Sequence, residues 1–322
     1  MKKILIVGAG GQIGSELVPH LRSIYGNNNV VAADISAEKC KALAEAGPFE
    51  ELNALDGEGF SAIVKKYNID TIFNLVALLS ATGEKNPKLA WDINIGALTN
   101  SLYIAKDNNC AVFTPSSIGA FGNDTPKDKT PQDTLQRSNT TIYGVCKVTG
   151  ELLSDYYFNR FGVDTRSVRF PGLISYVTLP GGGTTDYAVE IYYDAIRKGS
   201  FTCNVKEGTY MDMMYMPDAL NAVVQLMEAD PSKLKHRNSF NIASMSFEPE
   251  QIAAEIRKHL PDFKMDYQID PVKQAIANSW PNSMDDTCAR EEWGWAPKFD
   301  LTSMTNDMVI KVKEKFDKGL IK

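Results

Sequence analysis

Residues 3–18 read KILIVGAGGQIGSELV, and this stretch decides the fold. Four apolar residues, Ile4–Val7, precede glycines at positions 8, 11 and 14, and a helical apolar pattern follows. A short apolar run that ends at glycine is typical of a buried strand. We therefore predict a strand, a tight turn, and a helix that extends from Gly11 to about Tyr25.

The same alternation of apolar runs and amphipathic segments recurs as far as Gly172. The later predicted strands are NVVAADI, FEELNALD, DTIFNLVAL, CAVFTPSS and VDTRSVRFPG, and a helix is predicted over residues 142–161. Strands that alternate with helices at this spacing call for parallel pairing through crossover helices. The sequence predicts an α/β protein with a doubly wound parallel sheet of the Rossmann type.

Beyond Gly172 the alternation stops, and glycine and proline cluster at residues 180–183. We expect residues 1–172 to form the sheet domain, with residues 205–235 returning to it as a strand and a helix. Residues 173–204 and 236–322 are expected to form a smaller mixed α/β C-terminal domain that binds substrate and supplies a lid.

Composition excludes several classes of function. The net charge of −6 disfavours a surface for nucleic acid or anionic membrane. The five cysteines form no CxxC pair and the three histidines are far apart, so neither disulfides nor a metal site is expected. The apolar run Ile4–Val7 is too short for a signal peptide, and no membrane span is expected. We expect a cytoplasmic protein.

The glycine turn has the residues that a dinucleotide site needs. Glycine allows the backbone to approach a pyrophosphate closely, and the following helix N-terminus offers N–H groups. Asp34, at the end of the second predicted strand, can accept hydrogen bonds from the adenosine ribose. An aspartate repels a 2′-phosphate and no arginine follows it, so the sequence favours NAD over NADP.

A second group of polar residues is predicted near the carboxyl ends of the strands. Tyr143 and Lys147 lie four residues apart, hence on one face of the predicted helix. A lysine ammonium close to a tyrosine stabilises the phenolate, which makes the tyrosine a usable base. Ser117, in TPSSIGAFG, can hydrogen-bond a substrate hydroxyl, and Asn94 is a further polar candidate.

The glycine turn, the aspartate after the second strand, and then the serine, tyrosine and lysine follow one another in the chain in this order. This order resembles the extended, epimerase-like branch of the short-chain dehydrogenase/reductase superfamily. The resemblance implies bound NAD and hydride transfer at a carbon that carries a hydroxyl. One departure is Phe121, where many sugar-nucleotide members carry tyrosine. The cofactor contacts implied are Gly8, Gly11, Gln12, Ile13, Gly14, Asp34, Leu55, Asp56, Leu75, Ala77, Leu79, Asn94, Tyr143, Lys147, Pro171 and Leu173.

The second half of the chain is similar to the short-chain family of L-threonine 3-dehydrogenases, through PGGGTTDYAVEIYYDAI, DPVKQAIANSWP and DDTCAREEWGW. This resemblance implies that L-threonine is oxidised at C3 to 2-amino-3-oxobutanoate, a step toward glycine, with Tyr143 as base. It also implies a homodimer built on the helix that bears Tyr143. The substrate contacts implied are Ser80, Ser117, Tyr143, Gly182, Thr184, Thr185 and Trp280.

Two alternatives stay open at this point. A nucleotide-sugar 4-epimerase or dehydratase of the same fold would need basic residues for a second diphosphate, and the arginines beyond Gly172 form no cluster. A non-catalytic NAD-sensing protein would not need Ser117, Tyr143 and Lys147 together. The glycines at 181–183 are interpreted as the hinge of a loop that closes over a small zwitterion.

Overall fold

The computed structural model describes residues 1–321 and contains fourteen strands among them. The strands are β1 Ile4–Val7, β2 Val30–Asp34, β3 Phe49–Glu51, β4 Thr71–Asn74, β5 Ala111–Phe113, β6 Ser116–Ser117, β7 Thr165–Arg166, β8 Val168–Phe170, β9 Gly172–Ile174, β10 Ser200–Cys203, β11 Met211–Tyr215, β12 Phe240–Asn241, β13 Met245–Phe247 and β14 Lys264–Tyr267.

Twelve α-helices lie between and after these strands in the same residues. They are α1 Gly14–Tyr25, α2 Lys41–Ala46, α3 Gly57–Tyr67, α4 Ser80–Gly83, α5 Pro87–Asn108, α6 Ile142–Phe161, α7 Tyr187–Lys198, α8 Met216–Glu228, α9 Pro249–Arg257, α10 Pro271–Ser279, α11 Thr287–Trp293 and α12 Leu301–Asp317. None of them is long and apolar enough to cross a bilayer.

The main sheet has six strands in the order β3-β2-β1-β4-β5-β7, and every pair is parallel. Alternate residues of β1 face opposite sides, so Ile4 and Ile6 pack with α1 and α8 while Leu5 and Val7 pack with α3 and α5. Helices therefore cover both faces, which confirms the doubly wound Rossmann-type sheet.

Two predicted strands are divided in the structure. CAVFTPSS gives β5 and β6, with Pro115 between them, and VDTRSVRFPG gives β7, β8 and β9 in three different sheets. Prolines 115 and 171 interrupt these runs because proline has no N–H to donate to a neighbouring strand. The predicted start of the first helix at Gly11 was also wrong, since α1 begins at Gly14 and the turn before it is longer.

Three small sheets complete the architecture. They have the strand orders β6-β8-β12, β9-β11-β13 and β10-β14. Residues 211–228 form the predicted strand and helix, but β11 pairs with β9 and β13 rather than with the main sheet. Met213 and Tyr215 pack in a second core with α7, α9 and α12, whereas Met214 and α8 pack in the first. The domain boundaries given above stay a prediction.

Candidate active site

A cavity of about 690 Å³ opens between β1 and β4, where the order in which successive strands are added to the main sheet changes direction. Open parallel sheets bind their ligands at this crevice, at the carboxyl ends of the strands. The structure brings most of the predicted site residues together here. Those that line the cavity are Gly8, Gly11, Gln12, Ile13, Gly14, Leu75, Ala77, Leu79, Ser80, Ser117, Tyr143, Lys147, Pro171, Leu173, Thr184, Thr185 and Trp280.

The turn between β1 and α1 depends on two of its glycines. Gly8 has φ +87°, a conformation that side chains other than glycine rarely adopt. A Cβ on Gly14 would lie 2.4 Å from the Gly8 carbonyl oxygen and 2.7 Å from the Ala9 Cα. The helix can therefore start directly against the strand only because both positions lack a side chain.

The start of α1 fits an anionic group. Ile13 is the N-cap residue, and no side chain of the described residues caps the helix there. The Gln12 side-chain nitrogen Nε2 is buried without a hydrogen-bond partner in the same part of the chain. A pyrophosphate at this point would accept from Gln12 and from the N–H groups of the first helical turn. These donors fit NAD.

Asp34 lies at the end of β2, beside the glycine turn. Its carboxylate accepts from the N–H of Gly10 at 2.8 Å and from the N–H of Ser36 at 3.0 Å. These two bonds fix the carboxylate at the strand end while each oxygen keeps a second lone pair. The position fits the adenosine ribose hydroxyls expected from the sequence, although Asp34 is not itself part of the cavity lining.

Tyr143 and Ser117 meet across Gly119. A Cβ on Gly119 would lie 3.2 Å from Cε1 of the Tyr143 ring and 3.4 Å from the Ser117 hydroxyl. The tyrosine is 9% exposed and the serine 8% exposed, and both line the cavity. The two hydroxyl-bearing side chains are thus placed on either side of one small gap.

Lys147 lies one helical turn beyond Tyr143 on α6. Its Nζ is 5.2 Å from the centroid of the Tyr143 ring and donates to the Pro115 carbonyl at 2.6 Å. The carbonyl holds the ammonium beside the tyrosine at the end of β5.

Gly144 allows α6 to approach the turn that carries Ser117. A Cβ at this position would lie 1.8 Å from the Ser138 hydroxyl and 2.4 Å from the Gly119 carbonyl oxygen. The Ser138 hydroxyl itself donates to that carbonyl at 2.7 Å. The N-cap residue Thr141 accepts from the N–H of Gly144 and begins the helix at this contact.

A buried ion pair between α6 and β8 is hydrogen-bonded to β6. The Glu151 carboxylate of α6 accepts two hydrogen bonds from Arg169 of β8, at 3.0 and 2.9 Å. It also accepts from the hydroxyl of Ser116, the residue before Ser117. Both charged side chains are under 10% exposed, so removing either one would leave a buried charge without its partner. The pair therefore fixes β6 relative to α6.

The loop that precedes α7 is closed by its own aspartate. The Oδ2 atom of Asp186 accepts from the N–H groups of Gly182 at 2.9 Å and of Gly183 at 2.7 Å. Burial raises the pKa of Asp186 to about 6, although both bonds act in the lowering direction. The amide of Gly182, one of the substrate contacts implied by the resemblance, is thus paired with Asp186 in this structure.

The hydroxyls predicted to bind substrate come from the start of α4 and from the residues just before α7. The Ser80 hydroxyl is 3.3 Å from that of Thr184, and both side chains are buried. The methyl group of Thr185 packs over Gly172, where a Cβ would lie 2.8 Å away. The indole nitrogen of Trp280 is buried and, among the described residues, has no acceptor. Ser80, Thr184, Thr185 and Trp280 all line the same cavity as Tyr143.

Comparison with known proteins gives the family. The sequence profile of the NAD dependent epimerase/dehydratase family matches residues 4–243. The chain belongs to this family. An uncharacterized epimerase/dehydratase of Staphylococcus haemolyticus is 58% identical over 98% of this chain and 99% of its own length. NAD is therefore the cofactor of this protein.

Solved structures of family members are also similar over nearly the whole chain. An L-threonine dehydrogenase from Clostridium difficile has a TM-score of 0.95 and is 57% identical, with 98% of each chain covered. The holo form of an L-threonine dehydrogenase from Cupriavidus necator has a TM-score of 0.93 and is 47% identical, covering 97% of this chain and all of its own. A monomeric L-threonine 3-dehydrogenase from a metagenome has a TM-score of 0.93 and 43% identity, covering 97% of this chain and 99% of its own.

Four predicted site residues besides Asp34 do not line the cavity of this family member. Leu55 is exposed, and the Asp56 carboxylate accepts from the N–H of Gly59 as the N-cap of α3. The Asn94 amide accepts from the Leu78 N–H and donates to the Leu78 carbonyl, so it positions the loop after β4. Gly182 lies between lining residues 181 and 183. Their proposed ligand contacts stay predictions.

The cavity contains residues that the sequence reasoning missed. Lys39, five residues beyond Asp34, adds a cation, and Thr178 bonds the Ser15 hydroxyl at 2.9 Å. Asp186 also lines the cavity. A signal for Asp186 was present, because an aspartate at a helix start after three glycines is well placed to accept from their N–H groups. No comparable pattern marks Lys39 or Thr178.

Proposed function

We propose that this protein oxidises the C3 hydroxyl of L-threonine to 2-amino-3-oxobutanoate with NAD. The observation that carries the proposal is that Tyr143 and Ser117, which meet at Gly119, line the same cavity as the hydroxyl pair of Ser80 and Thr184. The named activities of the solved relatives, 43–57% identical over nearly the whole chain, support threonine as the substrate.

Each side chain has a distinct part in the proposed reaction. Ser117 hydrogen-bonds the C3 oxygen, and Tyr143, as phenolate, removes the proton from that oxygen. Lys147 stays beside Tyr143, with its ammonium held by the Pro115 carbonyl. NAD, when bound, accepts the hydride that leaves C3. The products are the 3-oxo amino acid, NADH and a proton held on Tyr143.

The zwitterionic part of threonine requires opposite charges or dipoles in the wall. The hydroxyls of Ser80 and Thr184 and the unpaired indole N–H of Trp280 are donors for the carboxylate. Asp186 is the carboxylate that lines this part of the cavity, and its Oδ1 is a partner for the ammonium group. A small zwitterion would thus be bound at both charged ends.

A nucleotide-sugar 4-epimerase or dehydratase is the alternative. Such a substrate carries a second diphosphate, which protein sites neutralise with arginine or lysine. Among the described residues, the cavity lining includes only two basic side chains, Lys39 and Lys147. Lys39 follows the adenosine-side Asp34, and Lys147 serves Tyr143. The charge of the lining therefore favours a small amino acid.

The test follows NADH formation by the purified protein with L-threonine, and in parallel the conversion of a UDP-sugar. Turnover of threonine alone is expected; conversion of the sugar nucleotide without threonine oxidation would refute the proposal. Tyr143→Phe should lower kcat by about 10²–10⁴-fold while NAD affinity by calorimetry stays unchanged. Tyr156→Phe, on the exposed side of the same helix, is the matched control and should leave kcat unchanged.

We further propose a homodimer formed through α5 and α6. These two helices pack against each other and leave a band of large apolar side chains exposed to solvent. Exposed apolar patches of this kind are typical of protein interfaces. The residues of the band are Leu89, Trp91, Tyr103, Leu152, Tyr156 and Phe161.

A further inference from the structure

A group of potential metal ligands lies apart from the cavity. His236 precedes β12, and Cys288 and Glu292 lie one turn apart on α11. The ligand atoms of these three residues are all within 4.8 Å of one another. Asp133, more than 100 residues earlier in the chain, reaches the same histidine. None of the four residues lines the 690 Å³ cavity.

The histidine is oriented by a carboxylate on one side. An oxygen of Glu292 pairs with Nδ1 of His236, and the other oxygen accepts from the backbone N–H groups of Lys235 and His236. Because Nδ1 is paired with Glu292, Nε2 is the nitrogen available to a cation once the proton that it shares with Asp133 is released. The same arrangement is common for histidines that bind zinc.

Two further ligand atoms lie near Nε2. An oxygen of Asp133 is 3.1 Å from Nε2, and the sulfur of Cys288 is 4.0 Å from it. A tetrahedral zinc ion with bonds of about 2.0–2.3 Å separates its nitrogen, oxygen and sulfur ligands by roughly 3.3–3.7 Å. The observed separations bracket this range.

We propose that His236, Cys288 and Asp133 bind a divalent cation of the zinc type, with Glu292 orienting the histidine. Binding releases to solvent both the Cys288 thiol proton and the proton between His236 Nε2 and Asp133, and a water completes four-coordination. Two nearby carboxylates, Asp285 and Glu291, make the surroundings negative and favour a cation. This site is independent of the proposed oxidation, because its ligands lie outside the cavity.

The ion would connect three distant segments of the chain. Asp133 belongs to the segment that leads to Ser138 and to Thr141, the N-cap of the helix that bears Tyr143. His236 packs on Phe240 of β12, which in turn contacts Trp293 of α11. A metal here would fix the Asp133 segment to α11. Its role is therefore structural rather than catalytic.

The experiment uses the full-length, reduced protein and Co²⁺ as a spectroscopic substitute for Zn²⁺. One equivalent of Co²⁺ should bind and give a thiolate-to-cobalt charge-transfer band. Cys288→Ser should abolish the band. Cys110→Ser is the control, because a serine hydroxyl can replace the bond from the Cys110 thiol to the Ile69 carbonyl. A band that persists in Cys288→Ser, or no band in the unmodified protein, would overturn the proposal.

Two further measurements do not depend on a buried substitution. Asp133 is 81% exposed, so Asp133→Asn should fold normally and weaken Zn²⁺ binding about tenfold or more in a chelator competition. An unchanged affinity would remove Asp133 from the site and refute the three-ligand arrangement. In the unmodified chain, one equivalent of Zn²⁺ should protect Cys288 from alkylation as measured by mass spectrometry; equal labelling with and without zinc contradicts the proposal.

Discussion

Replacement of Asp186 by asparagine should stabilise the protein at neutral pH. The Asp186 carboxylate is 7% exposed and accepts both loop N–H groups through the single atom Oδ2. An asparagine oxygen in that place has two lone pairs and can accept the same two bonds. The substitution therefore removes the cost of burying a charge while it keeps the hydrogen bonds of the loop.

The size of the effect follows from the pKa of this group. Burial is the largest cause that raises the Asp186 pKa from 3.8 to about 6, and the nearby charges of Lys273 and Glu190 act in opposite directions. At 1.36 kcal/mol per pKa unit, this rise corresponds to about 3 kcal/mol in the free energy of unfolding. Because the folded state holds the Asp186 proton more tightly than the unfolded state, the protonated carboxyl contributes to the free energy of unfolding. This contribution is full below pH 4 and is lost as pH rises through 6.

The assay is urea unfolding of the original protein and of Asp186→Asn between pH 4 and pH 8. The two should be equally stable near pH 4, and the variant should be more stable by about 3 kcal/mol at pH 7. Asp194→Asn, on the same helix but in a surface pair with Lys198, is the control and should change stability by less than about 1 kcal/mol. A stability difference that does not vary with pH would refute the reasoning, as would a variant destabilised at pH 7.

Two other substitutions test the cofactor site and the proposed dimer. Gly14→Ala places a methyl group 2.4 Å from the Gly8 carbonyl oxygen and should weaken NAD binding at least tenfold, as measured by calorimetry. Gly57→Ala is the control and should leave the affinity for NAD unchanged, because the nearest atom to its methyl group is 3.5 Å away. Equal NAD affinities of the two variants would contradict the role of the turn. Leu152→Glu, on the exposed face of α6, should convert a dimer to a monomer in sedimentation velocity. Leu135 is also exposed but lies outside the helix pair, so Leu135→Glu should leave the sedimentation coefficient unchanged. If both variants lower the sedimentation coefficient to the same extent, the proposed interface is wrong.

Local patterns in the sequence were sufficient for the elements nearest the cofactor. The strand at Ile4–Val7 and the helix at Ile142–Phe161 have the predicted bounds, because each is delimited by glycine or by a capping threonine. Tyr143 and Lys147 share a helix face for the same local reason. These features depend on neighbours a few residues away in the chain.

Features that depend on distant segments could not be predicted in this way. The Gly182 and Gly183 amides donate to Asp186 and are therefore not available to a ligand. This pairing depends on the three-dimensional path of the loop, which the sequence does not show. The single predicted strand over residues 163–172 is divided among three sheets by its partners. His236 and Cys288 are 52 residues apart, so their spacing gave no sign of a common site.

The contact at Gly144 has a consequence for protein engineering. The approach of the helix that bears Tyr143 to the turn after Ser117 depends on Gly144, where a Cβ would lie 2.4 Å from the Gly119 carbonyl oxygen. Side-chain libraries directed at Ser80 or Thr184 can therefore change which alcohol is accepted without altering that approach. The side chains that can be varied in such libraries therefore lie on different segments of the chain from the glycine contact that must be kept.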